Sequence, residues 1–203
     1  SDDDDISCWN TAGITNMDRA FWSYSYGGLK LFNDPLECWN VGQVTSMNLM
    51  FFNKKKFNQP IGSWDVSQVK DMEDMFSDSE SFNQPLDSWD VSQVENMRLM
   101  FYYADVFNQS IGSWNVSQVT DMYNMFKSAY VFNQSIGSWN VSQVTDMRQM
   151  IYNALSFNQP LDTWDVSKVK TMSRMFRDSP SFNQCLSTWA EKTSDTVNTF
   201  GMF

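Results

Sequence analysis

The sequence predicts an α/β solenoid in which 25-residue coils pile up, with short parallel strands on one face and short helices on the other. Three observations predict it. The dipeptide Phe-Asn recurs at Phe32, Phe57, Phe82, Phe107, Phe132, Phe157 and Phe182, each 25 residues after the last. Tryptophan keeps the same step at Trp39, Trp64, Trp89, Trp114, Trp139, Trp164 and Trp189. Inside each copy the apolar spacing changes from two to three and four, the change from strand to helix periodicity.

One unit runs from Phe57 to Ser81. Trp64 and Val66 alternate with polar Ser63 and Asp65, which predicts a short strand with one buried face. Val69, Met72, Met75 and Phe76 make one apolar stripe, which predicts a short helix with Ser67 as its N-cap. The polar segment from Ser77 to Ser81 returns the chain to Phe82. Ser79, Ala104, Ala129, Ala154 and Ser179 keep one position small, as a tight bend or close packing requires. Copies of the strand would stack about 4.8 Å apart as a parallel sheet. Asn58, Asn83, Asn108, Asn133, Asn158 and Asn183 each follow a buried Phe at a bend. Their amides are predicted to satisfy backbone groups that no sheet reaches.

The chain reads as one repeat domain over 1–203. It has an acidic segment at 1–7, an N-terminal repeat at 8–31, regular repeats at 32–189 and a C-terminal capping segment at 190–203. Trp9 stands 30 residues before Trp39, so the first repeat carries five extra residues, placed between Trp22 and Leu31. Beyond Trp189 the step puts Val197 and Phe200 where Met is expected, and Glu191 and Ser194 where Val is expected. A frayed strand and a capping helix are predicted there.

Ile61-Gly62-Ser63-Trp64-Asp65-Val66 matches the L-x-x-L-x-L core of leucine-rich repeats. The whole unit, Phe-Asn-Gln-Pro-Ile-Gly-Ser-Trp-Asp-Val-Ser-Gln-Val followed by Met-x-x-Met-Phe, closely resembles the BspA-like leucine-rich repeats, also called the mycoplasma lipoprotein repeat. The resemblance covers about residues 8 to 200. It implies a leucine-rich-repeat-like right-handed coil on a secreted or surface-anchored protein. It also implies adhesion or partner contact without catalysis, with the exposed strand face meeting a protein or glycan on another surface.

Net charge is −10 and the sequence pI is about 4.3, which argues against a nucleic-acid partner and against anionic membranes. The one basic run, Lys54-Lys55-Lys56, reads as a solvated loop tip. No stretch approaches the roughly 18 apolar residues of a membrane span, and no signal peptide is evident, so direct membrane insertion is not expected. Histidine is absent, which removes the commonest general base and the commonest metal ligand. With no phosphate loop, nucleophile elbow or Cys-x-x-Cys pair, neither an enzyme nor a cofactor or metal site is expected.

The candidate binding residues flank the Trp row. They are Ser63, Ser88, Ser113, Ser138 and Thr163 before it, and Asp65, Asp90, Asn115, Asn140 and Asp165 after it. Stacked strands would align them as a flat polar ladder. The competing readings of that ladder are solubility alone, a Ca²⁺ site between Asp65 and Asp90, and ice binding, which its charges oppose. A spacer or matrix component with no specific ligand is the alternative for the whole chain. A second candidate is aromatic: Tyr102, Tyr103, Tyr123, Tyr130 and Tyr152 fall where other copies are mostly polar. They suit either a contact patch or partial burial at the coil edge. Cys8 and Cys38 each directly precede a Trp, so in register they would be neighbours, which predicts a disulfide. Cys185 is expected as a buried thiol or a link to a further segment. Asn-x-Ser sequons begin at Asn108, Asn115, Asn133 and Asn140; burial of Asn108 and Asn133 would leave only Asn115 and Asn140 open to glycosylation.

Overall fold

The computed structural model describes residues 6–22 and 31–203. The 25-residue period holds in space. Asn16, Ser46, Asp71, Asn96, Asp121, Asp146, Thr171 and Asn198 pair in that order through single-residue parallel bridges. These residues mark eight coils, numbered one to eight below. The acidic stretch from Ser1 to Asp5, and most of the segment expected to hold the first repeat's extra residues, lie outside the described residues. The pairing of Asn16 with Ser46, 30 residues on, agrees with that insertion.

The strands and helices predicted for each coil do not form, so the chain is not an α/β solenoid. Among the described residues the helical elements are two three-residue 3-10 turns, Ile6–Cys8 and Ser187–Trp189. No bridge extends into a strand. Each coil is instead a succession of tight turns. In the third coil the Trp64 N–H donates to the Ile61 carbonyl, Val69 to Val66, Met75 to Met72, Ser79 to Phe76 and Phe82 to Ser79. Every residue of those pairs is buried. Turns that bring the chain back inward after three residues produce the same apolar spacing as one face of a helix, and here the turn is what forms.

Two residues per coil show why the helix fails. Asp74 and Asp78 have φ of 56° and 57°, and the pattern recurs at Leu99 and Tyr103, Asn124 and Ser128, Gln149 and Asn153, and Arg174 and Asp178. A left-handed residue ends an α-helix, and it turns its amide along the stack. The N–H groups of Met72, Asp74, Phe76 and Asp78 donate to the carbonyls of Asn96, Arg98, Met100 and Tyr102 in the next coil, at 2.7–3.1 Å. The amides of Met75, Ser77 and Ser79 between them close turns within the coil. Ser67 therefore caps no helix; its own N–H is taken by the Asp65 carboxylate at 3.1 Å. Leu99 sits at φ 53°, where a leucine costs about 1–2 kcal/mol and an asparagine much less. Leu99→Asn is expected to raise the stability by about 0.5–1 kcal/mol, whereas in a helix it would lower it by about 0.5. Chemical denaturation reads the sign.

The missing strand has a separate cause, the distance between coils. Equivalent rings in successive coils are separated by the local coil spacing. It is about 4.8 Å at a bridged backbone. It widens to 5.6–5.7 Å along Phe51, Phe76, Phe101 and Phe126. Along the Phe57, Phe82, Phe107 and Phe132 column it is 5.8–6.1 Å. Trp114 and Trp139 are 6.4 Å apart, and Trp164 and Trp189 6.2 Å. That is too wide for backbone bonds between neighbours, so no sheet closes on the Trp side.

What holds the Trp side is the indole itself. The Nε1 of Trp64, Trp89, Trp114, Trp139, Trp164 and Trp189 donates to the carbonyl of Leu36, Ile61, Leu86, Ile111, Ile136 and Leu161 in the preceding coil, at 2.9–3.1 Å. The interior between the two walls is one dry column of Phe, Met, Trp, Val, Ile and Leu. The small position behaves as predicted, with Ser79, Ala104, Ala129, Ala154 and Ser179 all buried. Lys54 occupies the same slot in the second coil and is 2 % exposed, so the basic run is not a solvated loop tip. Its neighbour Lys55 pairs with Glu80 of the next coil.

At the C-terminal end Asn198 pairs with Thr171, 27 residues earlier, so two residues are inserted there. The expected capping helix is replaced by a continuation of the turn wall, with Met172, Arg174 and Phe176 donating to the carbonyls of Asn198, Phe200 and Met202.

Candidate functional site

The ladder flanking the Trp row is exposed at all ten predicted positions, but its polar atoms are engaged in the fold. The hydroxyls of Ser88, Ser113, Ser138 and Thr163 donate to the carbonyls of Gly62, Asp87, Gly112 and Gly137 in the preceding coil, at 2.6–3.2 Å. The side-chain oxygens of Asp65, Asp90, Asn115, Asn140 and Asp165 accept the N–H two residues on, at 3.0–3.2 Å. Each closes an Asx turn. Hydrogen bonds from Ser67 and Ser167 hold the Asp65 and Asp165 carboxyls below the ordinary aspartate range. The ladder thus does at each rung what backbone pairing would have done. Ser63 is exposed beside it. Among the described residues no group of three or more acidic or thiol side chains gathers to hold a metal ion, and Asp65 and Asp90 form no such group.

The asparagine column also binds coil to coil. The Oδ1 of Asn58, Asn83, Asn108, Asn133 and Asn158 accepts the backbone N–H of the next asparagine at 2.9–3.0 Å. Gln109, Gln134, Gln159 and Gln184 add Nε2 bonds to the same residues. Asn108 and Asn133 are half-buried in this column, while Asn115 and Asn140 are exposed.

The turn wall has the richer chemistry. Arg98, Tyr123 and Arg148 occupy one position of the fourth, fifth and sixth coils. The guanidinium carbons lie 5.1 and 4.9 Å from the Tyr123 ring centroid, so the ring is held between two cations. Four residues on, Lys127 lies 5.6 Å from the Tyr102 ring centroid and 5.0 Å from that of Tyr152. Tyr103 meets Tyr102 edge-on at 4.5 Å and Tyr130 at 6.4 Å. All five tyrosines predicted as a contact patch are brought together here, and all are half-buried. Burial pushes the Tyr102 phenol up to about 12. Burial, with Arg174 nearby, lowers the Lys127 ammonium. Arg98 also pairs with Glu73 at 3.4 Å and Asp121 at 3.7 Å, and Arg148 with Asp146 at 2.6 Å. Desolvation raises Asp71 and Asp121, and raises Asp74 to about 6.

Sequence reasoning missed the cations of these columns. The signal was the 25-residue register itself, which sets Arg98, Tyr123 and Arg148 in line.

Cys38 is an exposed free thiol, so the predicted Cys8–Cys38 disulfide is not present; the Cys8 side chain lies outside the described residues. That pairing presumed neighbouring strands, whereas Cys8 closes the 3-10 turn Ile6–Cys8. Cys185 is exposed rather than buried, and bonds with Ser187 lower its thiol. Among the described residues, three clefts lie at the ends of the stack. One of about 530 Å³ is lined by Leu155, Pro180, Phe182 and Phe203, one of about 210 Å³ by Leu186 and Trp189, and one of about 240 Å³ by Trp9 and Ile14. No helix among the described residues is long and apolar enough to cross a membrane.

No curated protein and no solved structure matches the chain. A family model described as "Mycoplasma protein of unknown function, DUF285" matches residues 1–111 and again 106–203. The two matches overlap at 106–111 and together span the chain, and the chain belongs to the DUF285 family.

Proposed function

We propose that this chain is a non-catalytic interaction or adhesion module of an extracellular or cell-surface protein, of the BspA-like kind that its repeat resembles. We further propose that its contact surface is the turn wall, not the Trp side. One observation supports the choice of wall. Five tyrosines and three cations converge on the fourth to sixth coils, three of the rings stacked on cations and the other two, Tyr103 and Tyr130, meeting edge-on, all still partly exposed. Tyrosine and arginine are enriched in contact surfaces because large, pre-positioned side chains lose little entropy on binding. On the Trp side the polar atoms are already spent on the coils themselves.

The test is a binding screen against extracellular glycoproteins and matrix, using the full chain, Tyr103→Ala with Tyr130→Ala, and Asp90→Arg. Binding lost roughly tenfold or more in the tyrosine variant and kept in Asp90→Arg supports the wall. The reverse pattern returns the contact surface to the Trp side. A chain that binds nothing in the screen is a spacer or matrix component.

A further inference from the structure

Charge along the turn wall is not evenly spread. The third coil, residues 70–80, places Asp71, Glu73, Asp74, Asp78 and Glu80 on it against one cation of its own, Lys70, while Arg98 and Lys55 of the adjoining coils pair with Glu73 and Glu80. The seventh coil, residues 170–180, places Lys170, Arg174 and Arg177 on it against one carboxylate, Asp178. Between them, Arg98, Lys127 and Arg148 are offset by Glu95, Asp105, Asp121 and Asp146. The acidic and basic coils are each two coils from the fifth. The tyrosines lie on the fourth, fifth and sixth. Among the described residues neither Lys170 nor Arg174 has a carboxylate at ion-pair distance, and the Arg174 guanidinium lies 5.8 Å from the Phe200 ring centroid.

This layout is self-complementary in one orientation. A second wall laid against the first in parallel would set acid against acid and base against base. Turned antiparallel about an axis through the fifth coil, it sets the third coil of each copy opposite the seventh of the other. It also brings tyrosine to tyrosine at the centre. An isologous pair of this kind makes each contact twice, so a modest charge asymmetry counts double. From this geometry we propose that the turn wall pairs with the turn wall of a second copy of this chain, antiparallel, about a two-fold axis through Tyr123 and its neighbours. The inference rests on the wall being the contact surface and names its partner.

Sedimentation equilibrium of the full chain tests it, with near-ultraviolet circular dichroism confirming that each variant is folded. The wild-type chain is expected to dimerise at low salt and to dissociate at high salt. Arg174→Glu with Arg177→Glu, and separately Glu73→Lys with Glu80→Lys, should each weaken the dimer by roughly tenfold or more. Mixing the two variants should recover part of it, because the unchanged acidic third coil of one then meets the unchanged basic seventh coil of the other. Laid parallel, like coils face each other already in the wild type, so neither substitution would weaken such a pair as it weakens the antiparallel one. A wild-type chain that stays monomeric at low salt, a dimer indifferent to either reversal, or a mixture that fails to re-pair overturns the proposal. A monomer that still loses an outside partner on Tyr103→Ala with Tyr130→Ala would overturn the pairing alone and leave the wall as the contact surface.

Discussion

Trp114→Phe is expected to lower the unfolding free energy by about 2–3 kcal/mol. The indole is 4 % exposed, stacks on Trp139 at 6.4 Å and donates Nε1–H to the Leu86 carbonyl at 2.9 Å. Phenylalanine fills less of the slot and cannot donate. The cavity dominates the loss, since the Leu86 carbonyl keeps its other bond, from the Trp89 N–H at 3.1 Å. The damage should be large for so similar a ring, because no backbone bond on that side stands in for the indole. Trp9→Phe is the internal control: Trp9 is 55 % exposed and its replacement should move the stability by less than about 0.5 kcal/mol. Matched urea titrations of the two variants report the difference, and equal midpoints would mean that the indole column is not structural.

Asn108→Ala is the second large effect, about 2–3 kcal/mol. The Asn108 Oδ1 accepts the Asn133 N–H at 3.0 Å and the Gln134 Nε2 at 3.0 Å. Alanine leaves the Asn133 N–H half-buried between coils with no acceptor, a full desolvation cost rather than the loss of a marginal bond. Asp121→Ala provides the contrast. Asp121 accepts the Tyr123 N–H at 2.9 Å, but burial already raises its carboxyl, so removing it also relieves an unfavourable charge. Its net effect should stay within about 1 kcal/mol. The melting temperature of Asn108→Ala should fall well below that of Asp121→Ala, and equal values would remove the asparagine column from the account of stability.

How much of this was legible follows from which physical signals are local. The period was plain in Phe-Asn and Trp, and the buried set follows it: Val69, Met72, Met75 and Phe76 are all fully buried, as the apolar stripe predicted. The conformation carrying them was not legible, because a three-residue recurrence is common to a helix face and to a chain of turns. The decisive left-handed positions hold Leu, Asp, Asn, Gln and Arg in different coils, with no run of glycine to mark them. The ladder beside Trp was found correctly as an exposed row, but its hydroxyls and carboxylates bond to backbone that only the three-dimensional register reveals. The tyrosines were noticed as a group. Their cations were not, because Arg98 and Arg148 each look like ordinary surface charge until their coils are superimposed on that of Tyr123.

The side-chain bonds that tie coil to coil in the regular part of the chain span 23 to 28 residues, as at Asn96 to Glu73, Asn133 to Asn108, Gln134 to Asn108 and Trp139 to Ile111. Each unit therefore depends on its immediate neighbours and on nothing farther away. Duplication or loss of a gene segment encoding one whole unit would join edges of matching backbone, with the hydrogen-bond register intact on both sides of the seam. Length is then a trait that selection can adjust in fixed increments without finding a new fold each time, and reach can evolve separately from whatever surface the units display.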